Sequence, residues 1–312
     1  MAIDNQSLAF VFPGQGSQSV GMMQGWGDRS EVRFTFSEAS DALGQDLWVL
    51  VTEGPADLLN QTINTQPAML AADVAAWRVW RAAGGAQPAL LAGHSLGEYA
   101  ALVAAGVLGF SDAIKLVRFR AEAMQAAVPE GVGAMAAILG LDDEAVRAVC
   151  MDAAAGEVVE AVNFNSPGQV VIAGNKASVE RAMMLAKERG AKRALPLPVS
   201  VPSHSSLMLP AAEKLRVHLQ SVTIATPLIP VLHNTDVQSH AEPDAIRAAL
   251  AKQLHTPVRW VETVQALKAA GMGCVIECGP GKVLTGLGKR IDDSLTALAL
   301  VDEASLQAAL NQ

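Results

Sequence analysis

The segment Gly93-His94-Ser95-Leu96-Gly97 has the G-x-S-x-G pattern that can present a nucleophilic serine. It follows the apolar run Ala89–Ala92 and precedes a segment of small, helix-favouring residues. A sharp turn between strand and helix lifts a serine hydroxyl clear of the sheet, and the flanking glycines avoid side-chain clashes. The N–H of Leu96 then opens the helix and can point at an oxyanion. A packed strand-to-helix turn with a capping serine has the same pattern, so the chemistry also requires a base.

Six histidines could supply that base: His94, His204, His218, His233, His240 and His255. The best candidate is His204, which follows Val201-Pro202-Ser203 where a helix begins. The side chain of His94 is expected to point away from its neighbour Ser95 and to have a packing or supporting role. We expect His218 and His240 at the surface and His233 and His255 in loops.

Arg120 is the second residue that points to chemistry. On a predicted helix over Ser111–Ala127, wound at roughly 100° per residue, it falls on the apolar arc that also carries Leu116, Val117 and Met124. An arginine in such a position is rarely left unpaired. Two interpretations remain open: an internal salt bridge, or a fork that binds a substrate carboxylate.

Composition excludes several classes of protein. The chain has 312 residues, of which 51% are hydrophobic and 17% charged, so it is long and apolar enough for a sizeable core. The formal net charge of -8 argues against nucleic acid or an anionic membrane as partner. No stretch is long enough to span a membrane, and no basic residue precedes Arg29, so we expect no signal peptide and a cytoplasmic location.

The three cysteines, Cys150, Cys274 and Cys278, do not form a disulfide framework. Cys274 and Cys278 lie in an apolar strand and turn without a second ligand pair. They are therefore expected to be buried thiols, and no metal site is predicted.

Strands alternating with helices predict a parallel α/β sheet before and after a central insert. The predicted strands are Leu8–Phe12, Ala89–Ala92, Ile229–His233, Cys274–Glu277 and Thr296–Val301. The predicted helices are Ala68–Ala83, Leu96–Gly106, Ser111–Ala127, Ser206–Leu219, Asp244–Leu254 and Val258–Ala270, with one further helix before the last strand.

The central region has a different pattern, with the order βαββαβ of a ferredoxin-like arrangement. Its predicted elements are Met135–Leu139, Asp143–Ala154, Val158–Asn163, Gln169–Ala173, Ala177–Arg189 and Arg193–Pro198, with Asp142 and Asn175 as helix N-caps. We therefore predict a catalytic core formed by residues 1–127 and 200–312 and a small inserted subdomain formed by residues 128–199.

Taken together, these motifs resemble the malonyl-CoA:acyl carrier protein transacylases, and the resemblance covers nearly the whole chain in the right order. The segments that carry it are Phe12-Pro13-Gly14-Gln15-Gly16-Ser17-Gln18, Gly93-His94-Ser95-Leu96-Gly97-Glu98-Tyr99, Arg120, Asn163-Phe164-Asn165-Ser166-Pro167, Pro202-Ser203-His204, and Gln253 ahead of Pro257-Val258.

The resemblance implies an α/β-hydrolase-like core with a ferredoxin-like insert, Ser95 as nucleophile and His204 as base. It implies that the N–H groups of Gln15 and Leu96 form the oxyanion hole and that Arg120 binds the malonyl carboxylate. A backbone carbonyl near Gln253 is expected to orient the histidine in place of an acidic residue. Three further residues are expected in or beside the pocket: Asn165, His94 and Asn234.

The implied activity is ping-pong transfer of malonyl from malonyl-CoA to the phosphopantetheine thiol of acyl carrier protein in fatty acid synthesis, with no metal or redox cofactor. An acidic carrier protein requires a local basic patch, for which the candidate pairs are Lys192 with Arg193 and Lys289 with Arg290. We expect a monomer, although the sequence does not determine the oligomeric state. Alternatives are a polyketide-pathway malonyl or methylmalonyl acyltransferase, a serine esterase or thioesterase, and a non-enzymatic scaffold.

Overall fold

The computed structural model describes residues 7–199 and 201–311, which form two β-sheets with their packed helices. The strands are β1 Leu8–Phe12, β2 Leu90–Gly93, β3 Gly133–Leu139, β4 Val159–Ser166, β5 Gln169–Asn175, β6 Arg193–Pro196, β7 Val231–Leu232, β8 Cys274–Cys278 and β9 Thr296–Leu300. The helices are α1 Ser30–Leu43, α2 Leu47–Glu53, α3 Ala56–Leu59, α4 Thr62–Ala82, α5 Gly97–Ala104, α6 Phe110–Ala127, α7 Asp143–Ala153, α8 Lys176–Glu188, α9 Leu209–His218, α10 Pro243–Gln253, α11 Trp260–Ala269, α12 Val283–Ile291 and α13 Glu303–Leu310.

The core contains a parallel five-stranded sheet in the order β7-β2-β1-β8-β9. Its central strand β1 is buried along its whole length because helices cover both faces of the sheet. Phe10 packs against Trp77 of α4 at 5.4 Å between ring centroids, whereas Val11 joins the cluster on the opposite face that contains Trp260. The pairing of β1 with β2 places Phe12 opposite Gly93, so the loops that follow these two strands leave the sheet side by side.

The insert contains an antiparallel four-stranded sheet in the order β4-β5-β3-β6, which confirms the predicted ferredoxin-like arrangement. Its helices α7 and α8 cover one face through a cluster that includes Ile138 and Ile172. On the other face, Leu197 and Val199 pack with the smaller cluster that contains Met135. This second face turns toward the core and the site described below.

The insert is joined to the core by backbone hydrogen bonds. Phe164 N–H donates to the carbonyl of Val258 at 3.0 Å, and Val258 N–H donates to that of Val162 at 2.8 Å. The two sheets are therefore fixed relative to each other beside the functional residues.

The predicted α/β class is confirmed, but several element bounds differ. Helices α1, α2, α3 and α13 were not predicted, and the predicted strand Ile229–His233 shortens to β7. Helix α4 begins six residues before the predicted start and continues through Pro67. Side chains hold its first turn against α3, because Asn64 donates to the carbonyl of Leu58 at 3.0 Å and Thr65 to that of Leu59 at 2.6 Å.

The two predicted helix caps in the insert differ in chemistry. The side chain of Asp142 accepts a hydrogen bond from Ala145 N–H, as an N-cap does. Asn175 occupies the cap position of α8, but its side chain accepts from Val158 N–H instead. The predicted division at 127/128 and 199/200 stays a prediction, and Ser200 and residues 1–6 lie outside the described residues.

Candidate active site

Ser95 lies on a strained turn between β2 and α5, with a positive φ of 53°. A Cβ on Gly93 would lie 2.0 Å from the backbone of Gly97, and a Cβ on Gly97 would lie 2.0 Å from the carbonyl oxygen of Phe12. Both flanking residues must therefore be glycine for the turn to pack against β1. The backbone thus forces the serine into an unusual conformation.

The side chain of Ser95 meets that of His204, which lies 109 residues later. Ser95 Oγ is 2.7 Å from His204 Nε2, and His204 Nδ1 is 2.8 Å from the main-chain oxygen of Gln253. If Nδ1–H donates to this carbonyl, Nε2 is left free to accept the serine proton. His204 is also held by its own strained backbone, with φ of 66°, and its N–H donates to the carbonyl of Leu254 at 2.9 Å.

The environment keeps His204 neutral. Burial is the main cause and the positive charge of Arg120 the second, and together they lower the pKa of His204 to about 3. A neutral imidazole can accept a proton, so this histidine is in the state that a base requires at ordinary pH.

Two backbone N–H groups are available beside Ser95. Gly14 approaches the turn formed by residues 93–97, here called the elbow, so closely that a Cβ on it would lie 2.5 Å from the carbonyl oxygen of His94 and 3.7 Å from Leu96 N. The following residue, Gln15, is thereby brought beside Leu96. Within residues 7–199 and 201–311, neither the Gln15 N–H nor the Leu96 N–H donates to an acceptor. These donors could stabilise an oxyanion.

Arg120 is 2% exposed and has no carboxylate partner in the described part of the chain. Its Nη1 donates to Gln66 Oε1 at 2.8 Å, and its Nη2 donates to Gln253 Oε1 at 3.0 Å and lies 3.4 Å from Ser95 Oγ. The internal salt bridge considered from the sequence is therefore not formed. A buried guanidinium held by neutral oxygens retains its attraction for an anion.

A cavity of about 100 Å³ lies between the elbow and the insert. Its wall contains Gln15, Thr62, Gln66, His94, Ser95, Leu96, Arg120, Met124, Met135, Asn163, Leu197, Val199, Val201, Ser203 and His204. This volume is well above the minimum that a single water requires, so the cavity has room for a short acyl group. The cavity thus places the guanidinium of Arg120 and the hydroxyl of Ser95 within one small space.

The other predicted pocket residues have distinct positions. Asn165 lies behind the cavity wall and pairs with His94, with 2.8 Å between Oδ1 and Nε2, while Asn163 lines the cavity itself. Asn234 supports the elbow, because its Oδ1 accepts from Ser95 N–H at 2.7 Å and its Nδ2 donates to the carbonyl of Gly93 at 2.7 Å.

Several contributors were missed by sequence reasoning. Gln66 lies in the part of α4 whose start was misplaced. Glu98 was expected only as part of a motif, but it is fully buried and pairs with His233 at 2.7 Å. His233 does follow a strand, yet it too is fully buried. His218, which was expected at the surface, is half-buried and stacks on Phe119, with ring centroids 3.9 Å apart.

The cysteines lie away from this chemistry. All three are buried and free, and burial raises the pKa of Cys274 to about 11 and is the main cause that raises that of Cys150 to about 12. Such thiols are poor nucleophiles.

Among the described residues, no group of three or more His, Cys, Asp or Glu side chains could hold a metal ion. None of the helices in those ranges combines the length and apolar character that a membrane crossing requires.

A serine on a strand-to-helix elbow, a neutral histidine and two free backbone donors are the parts used by enzymes that make and break esters or thioesters through an acyl-serine. Comparison with known proteins agrees with this class. The sequence profile of the acyl transferase domain family matches residues 9–304. The malonyl CoA-acyl carrier protein transacylase of Salmonella typhimurium is 58% identical over 306 residues, which cover 98% of this chain and 99% of that protein.

Solved structures show the same similarity. The acyl-carrier-protein S-malonyltransferase of Burkholderia pseudomallei is 61% identical with a TM-score of 0.96, over 98% of this chain and 100% of that one. A malonyl-transacylase in complex with a type II PKS acyl-carrier protein is 56% identical with a TM-score of 0.97, over 98% of this chain and 99% of that one. The chain therefore belongs to the acyl transferase domain family and, within it, to the malonyl CoA-acyl carrier protein transacylases.

Proposed function

We propose that the protein transfers a malonyl group from malonyl-CoA to the phosphopantetheine thiol of acyl carrier protein in fatty acid synthesis. The activities that its relatives are named for support this proposal. The single structural observation that carries it is the Arg120 guanidinium 3.4 Å from Ser95 Oγ, without a carboxylate of its own in the described part of the chain. A malonyl group ends in a carboxylate, which would pair with this cation while its thioester carbonyl faces the serine.

In the first half-reaction, Ser95 Oγ attacks the thioester carbonyl while its proton passes to His204 Nε2. The negative charge on the carbonyl oxygen is stabilised by the N–H groups of Gln15 and Leu96, and one such donor contributes roughly 3 kcal/mol in related sites. The C–S bond then breaks, and the proton held by His204 passes to the departing CoA sulfur. The product is a malonyl ester of Ser95.

The second half-reaction reverses these steps. The carrier thiol gives its proton to His204, its sulfur attacks the ester carbonyl, and the malonyl–Ser95 bond breaks as Ser95 recovers a proton from His204. Each of these steps is assigned to the chain's own residues, and none calls for a metal or redox group. Because CoA leaves before the carrier enters, we expect ping-pong kinetics.

The carboxylate of the substrate would also affect the pKa of His204. Burial is the larger cause that lowers the pKa of His204, and the positive charge on Arg120 is the second. Pairing of Arg120 with a substrate carboxylate cancels part of that repulsion, so a substrate with a carboxylate strengthens the base that its own reaction needs. An esterase acting on neutral acyl groups gains nothing from this arrangement, which favours the malonyl transferase.

Carrier docking is proposed at one end of the insert sheet. The basic pairs considered from the sequence are Lys192 with Arg193 and Lys289 with Arg290, and all four residues are exposed. Arg193 and Arg290 lie near each other at this end. Leu139 is paired with both Gln169 and Arg193, and Arg290 donates to Gln169 Oε1 at 2.9 Å. A basic surface of this kind suits an acidic carrier although the whole chain is at -8.

Charge reversal tests the docking surface. Lys192→Glu with Arg193→Glu should raise the KM for the carrier at least severalfold and leave the rate of Ser95 acylation by malonyl-CoA unchanged. Lys115→Glu, an exposed charge change on α6, is the control and should alter neither quantity. An unchanged KM for the carrier in the double variant would place docking elsewhere.

The test of the proposed function is the formation of malonyl-carrier from malonyl-CoA and holo acyl carrier protein, followed by intact mass of the carrier. We expect rapid transfer of malonyl and little transfer of acetyl from acetyl-CoA. Free malonate without malonyl-carrier would instead identify a thioesterase.

A second candidate is the supply of malonyl units to a polyketide synthase, favoured by the 56% identity to the type II PKS transacylase. The ratio of kcat/KM for a fatty acid carrier and a polyketide carrier separates the two.

A cytoplasmic location is part of the proposal, because three free thiols suit a reducing compartment. A monomeric state stays a prediction.

A further inference from the structure

Glu98 is a fully buried carboxylate in the first turn of α5, three residues after Ser95. Three donors converge on its two oxygens. His233 Nδ1 lies 2.7 Å from Oε1, while Asn234 N–H and Gln253 Nε2 donate to Oε2 at 3.0 Å and 2.9 Å. A buried carboxylate with this many partners holds the elements that carry those partners in a fixed arrangement.

The first of these elements is the end of α10, because Gln253 contacts three parts of the proposed machinery. Its main-chain oxygen is 2.8 Å from His204 Nδ1, its Oε1 accepts from Arg120 Nη2 at 3.0 Å, and its Nε2 also donates to the carbonyl of Ser95 at 3.0 Å. The position of one glutamine therefore determines the direction of the base and of the guanidinium together.

The second element is the turn after β7. Asn234 is held through its main-chain N–H by Glu98, and its side chain in turn bonds the backbone of Gly93 and Ser95. Glu98 is thus connected through Asn234 to the backbone of Gly93 and Ser95.

We propose that Glu98 is a positioning residue that sets the alignment of Ser95, His204 and Arg120 by holding Gln253 and Asn234, without touching the substrate. The inference rests on the proposed function only for the substrate it names, since the alignment of Ser95 with His204 matters for any acyl donor. We expect the location of the carboxylate oxygens to matter more than the negative charge, because Gln253 and Asn234 are held by hydrogen bonds of 2.9 and 3.0 Å from neutral donors. A misplacement of about 1 Å in a reacting group can cost roughly 10²-fold in rate.

Two conservative variants separate location from charge. In Glu98→Gln the amide oxygen stays in place to accept from Asn234 and Gln253. The amide nitrogen then faces His233, whose Nε2 has no partner among the described residues and can take the ring proton. In Glu98→Asp the charge is kept, but the oxygens retreat by one methylene from all three donors. The proposal predicts that the glutamine variant is the faster enzyme.

Glu277 supplies the matched control. It is also a fully buried carboxylate, and it accepts from Leu284 N–H, Thr285 N–H and the Thr285 hydroxyl at 3.1, 2.7 and 2.8 Å, away from Ser95. Glu277→Gln and Glu277→Asp should change stability without changing the kinetics of the folded protein.

Two rates should be measured in the four variants after the folded fraction is determined by circular dichroism. One is the phosphorylation of Ser95 by diisopropyl fluorophosphate, in which the serine oxygen displaces fluoride and no malonyl group is required. The other is kcat and KM for malonyl-CoA and for acetyl-CoA. We expect Glu98→Asp to lose tenfold or more in the rate of this phosphorylation and in kcat and to lower the malonyl-to-acetyl ratio, with Glu98→Gln within about threefold of the parent.

An aspartate variant as fast as or faster than the glutamine variant would overturn the proposal, because charge would then outweigh location. Equal losses per folded molecule in the Glu277 pair would overturn it as well. If the parent protein fails to transfer malonyl but Glu98→Asp still slows the phosphorylation of Ser95 by diisopropyl fluorophosphate, the proposed function fails while this inference stands. If malonyl transfer is confirmed and Glu98→Asp matches the parent protein in both rates, only the inference fails.

Discussion

Arg120 Nη2 lies 3.4 Å from Oγ of Ser95, which places a buried cation directly beside the nucleophile. The guanidinium is held by Gln66 and Gln253, which are neutral acceptors. Burial lowers the pKa of Arg120 and outweighs the opposing effects of Tyr99 and Glu98, so the surroundings as a whole do not favour its charge. A substrate carboxylate would relieve this condition, so we expect the site to select for an acyl group that carries one.

Arg120→Ala should lower kcat/KM for malonyl-CoA by at least 10²-fold and raise the relative activity with acetyl-CoA. The reason is that a site built around a charged partner rejects analogues without it, and the variant loses that discrimination. Arg120→Lys should restore only part of the preference, since an ammonium cannot form two parallel hydrogen bonds. The measurement is the malonyl-to-acetyl ratio of kcat/KM.

Arg118→Ala is the control for that series. Arg118 lies on the same helix and bonds Gln45, outside the cavity wall. The Arg118→Ala variant should leave the malonyl-to-acetyl ratio of kcat/KM unchanged. A ratio that also stays unchanged in Arg120→Ala would remove the main physical support for malonyl as substrate.

His204→Ala should slow acylation of Ser95 by roughly 10²–10⁴, the usual contribution of a general base. No carboxylate should be needed as its partner, because the carbonyl of Gln253 occupies Nδ1. Single-turnover acylation by malonyl-CoA measures this. A mild effect here together with a large loss in His94→Ala would assign the base to the other imidazole in the cavity.

The pH dependence should lack the usual histidine transition. Burial, and then Arg120, lower the pKa of His204 to about 3, so it is already neutral in the free protein. We expect kcat/KM for malonyl-CoA to stay level between about pH 5 and 8 as far as this group is concerned. A loss of activity on acidification with a midpoint near 6.5 would show that His204 titrates as an ordinary histidine.

The lowered pKa of His204 also makes the free energy of unfolding depend on pH. In the unfolded chain His204 binds a proton below about pH 6.5, but in the folded protein it does so only near 3, so the unfolded state holds more protons in between. The contribution of this group to the free energy of unfolding is therefore lost as the pH falls from about 6.5 toward 3. His204→Asn should flatten that part of the curve relative to the parent protein.

Gly14→Ala should reduce kcat through the oxyanion hole. The new methyl group would lie 2.5 Å from the His94 carbonyl and force the loop that carries the Gln15 N–H away from Leu96. Loss of one such donor costs about 10²–10³ in kcat. Gly286→Ala, where a Cβ meets nothing within 4 Å, is the matched control, and equal kcat values in the two variants would exclude the Gln15 N–H from catalysis.

The features that the sequence predicted are those set by a short stretch of residues. The apolar run before Gly93 and the glycines around Ser95 predicted the elbow, and the helical period placed Arg120 on a buried face. The order βαββαβ predicted the insert. The pairing of Ser95 with His204 across 109 residues depends on how the sheet brings the strand ends together. The sequence alone therefore left several histidines as candidates for the base.

The buried polar network could not be predicted in the same way. An acidic residue in the first turn of a helix, such as Glu98, usually faces solvent and interacts with the helix dipole. Only the packing of α5 beneath the turn after β7 brings it to His233 and removes both from water. The polar first turn of α4 was missed for a related reason, since Asn64 and Thr65 donate to carbonyls of α3, contacts that a helical period in the sequence does not show.

The most direct test of the account is the intact mass of the protein after mixing with malonyl-CoA in the absence of carrier protein. We expect a mass increase of one malonyl unit that maps to Ser95, is absent in Ser95→Ala and is far weaker with acetyl-CoA. Labelling of a cysteine in place of Ser95, or equal labelling by malonyl-CoA and acetyl-CoA, would contradict it.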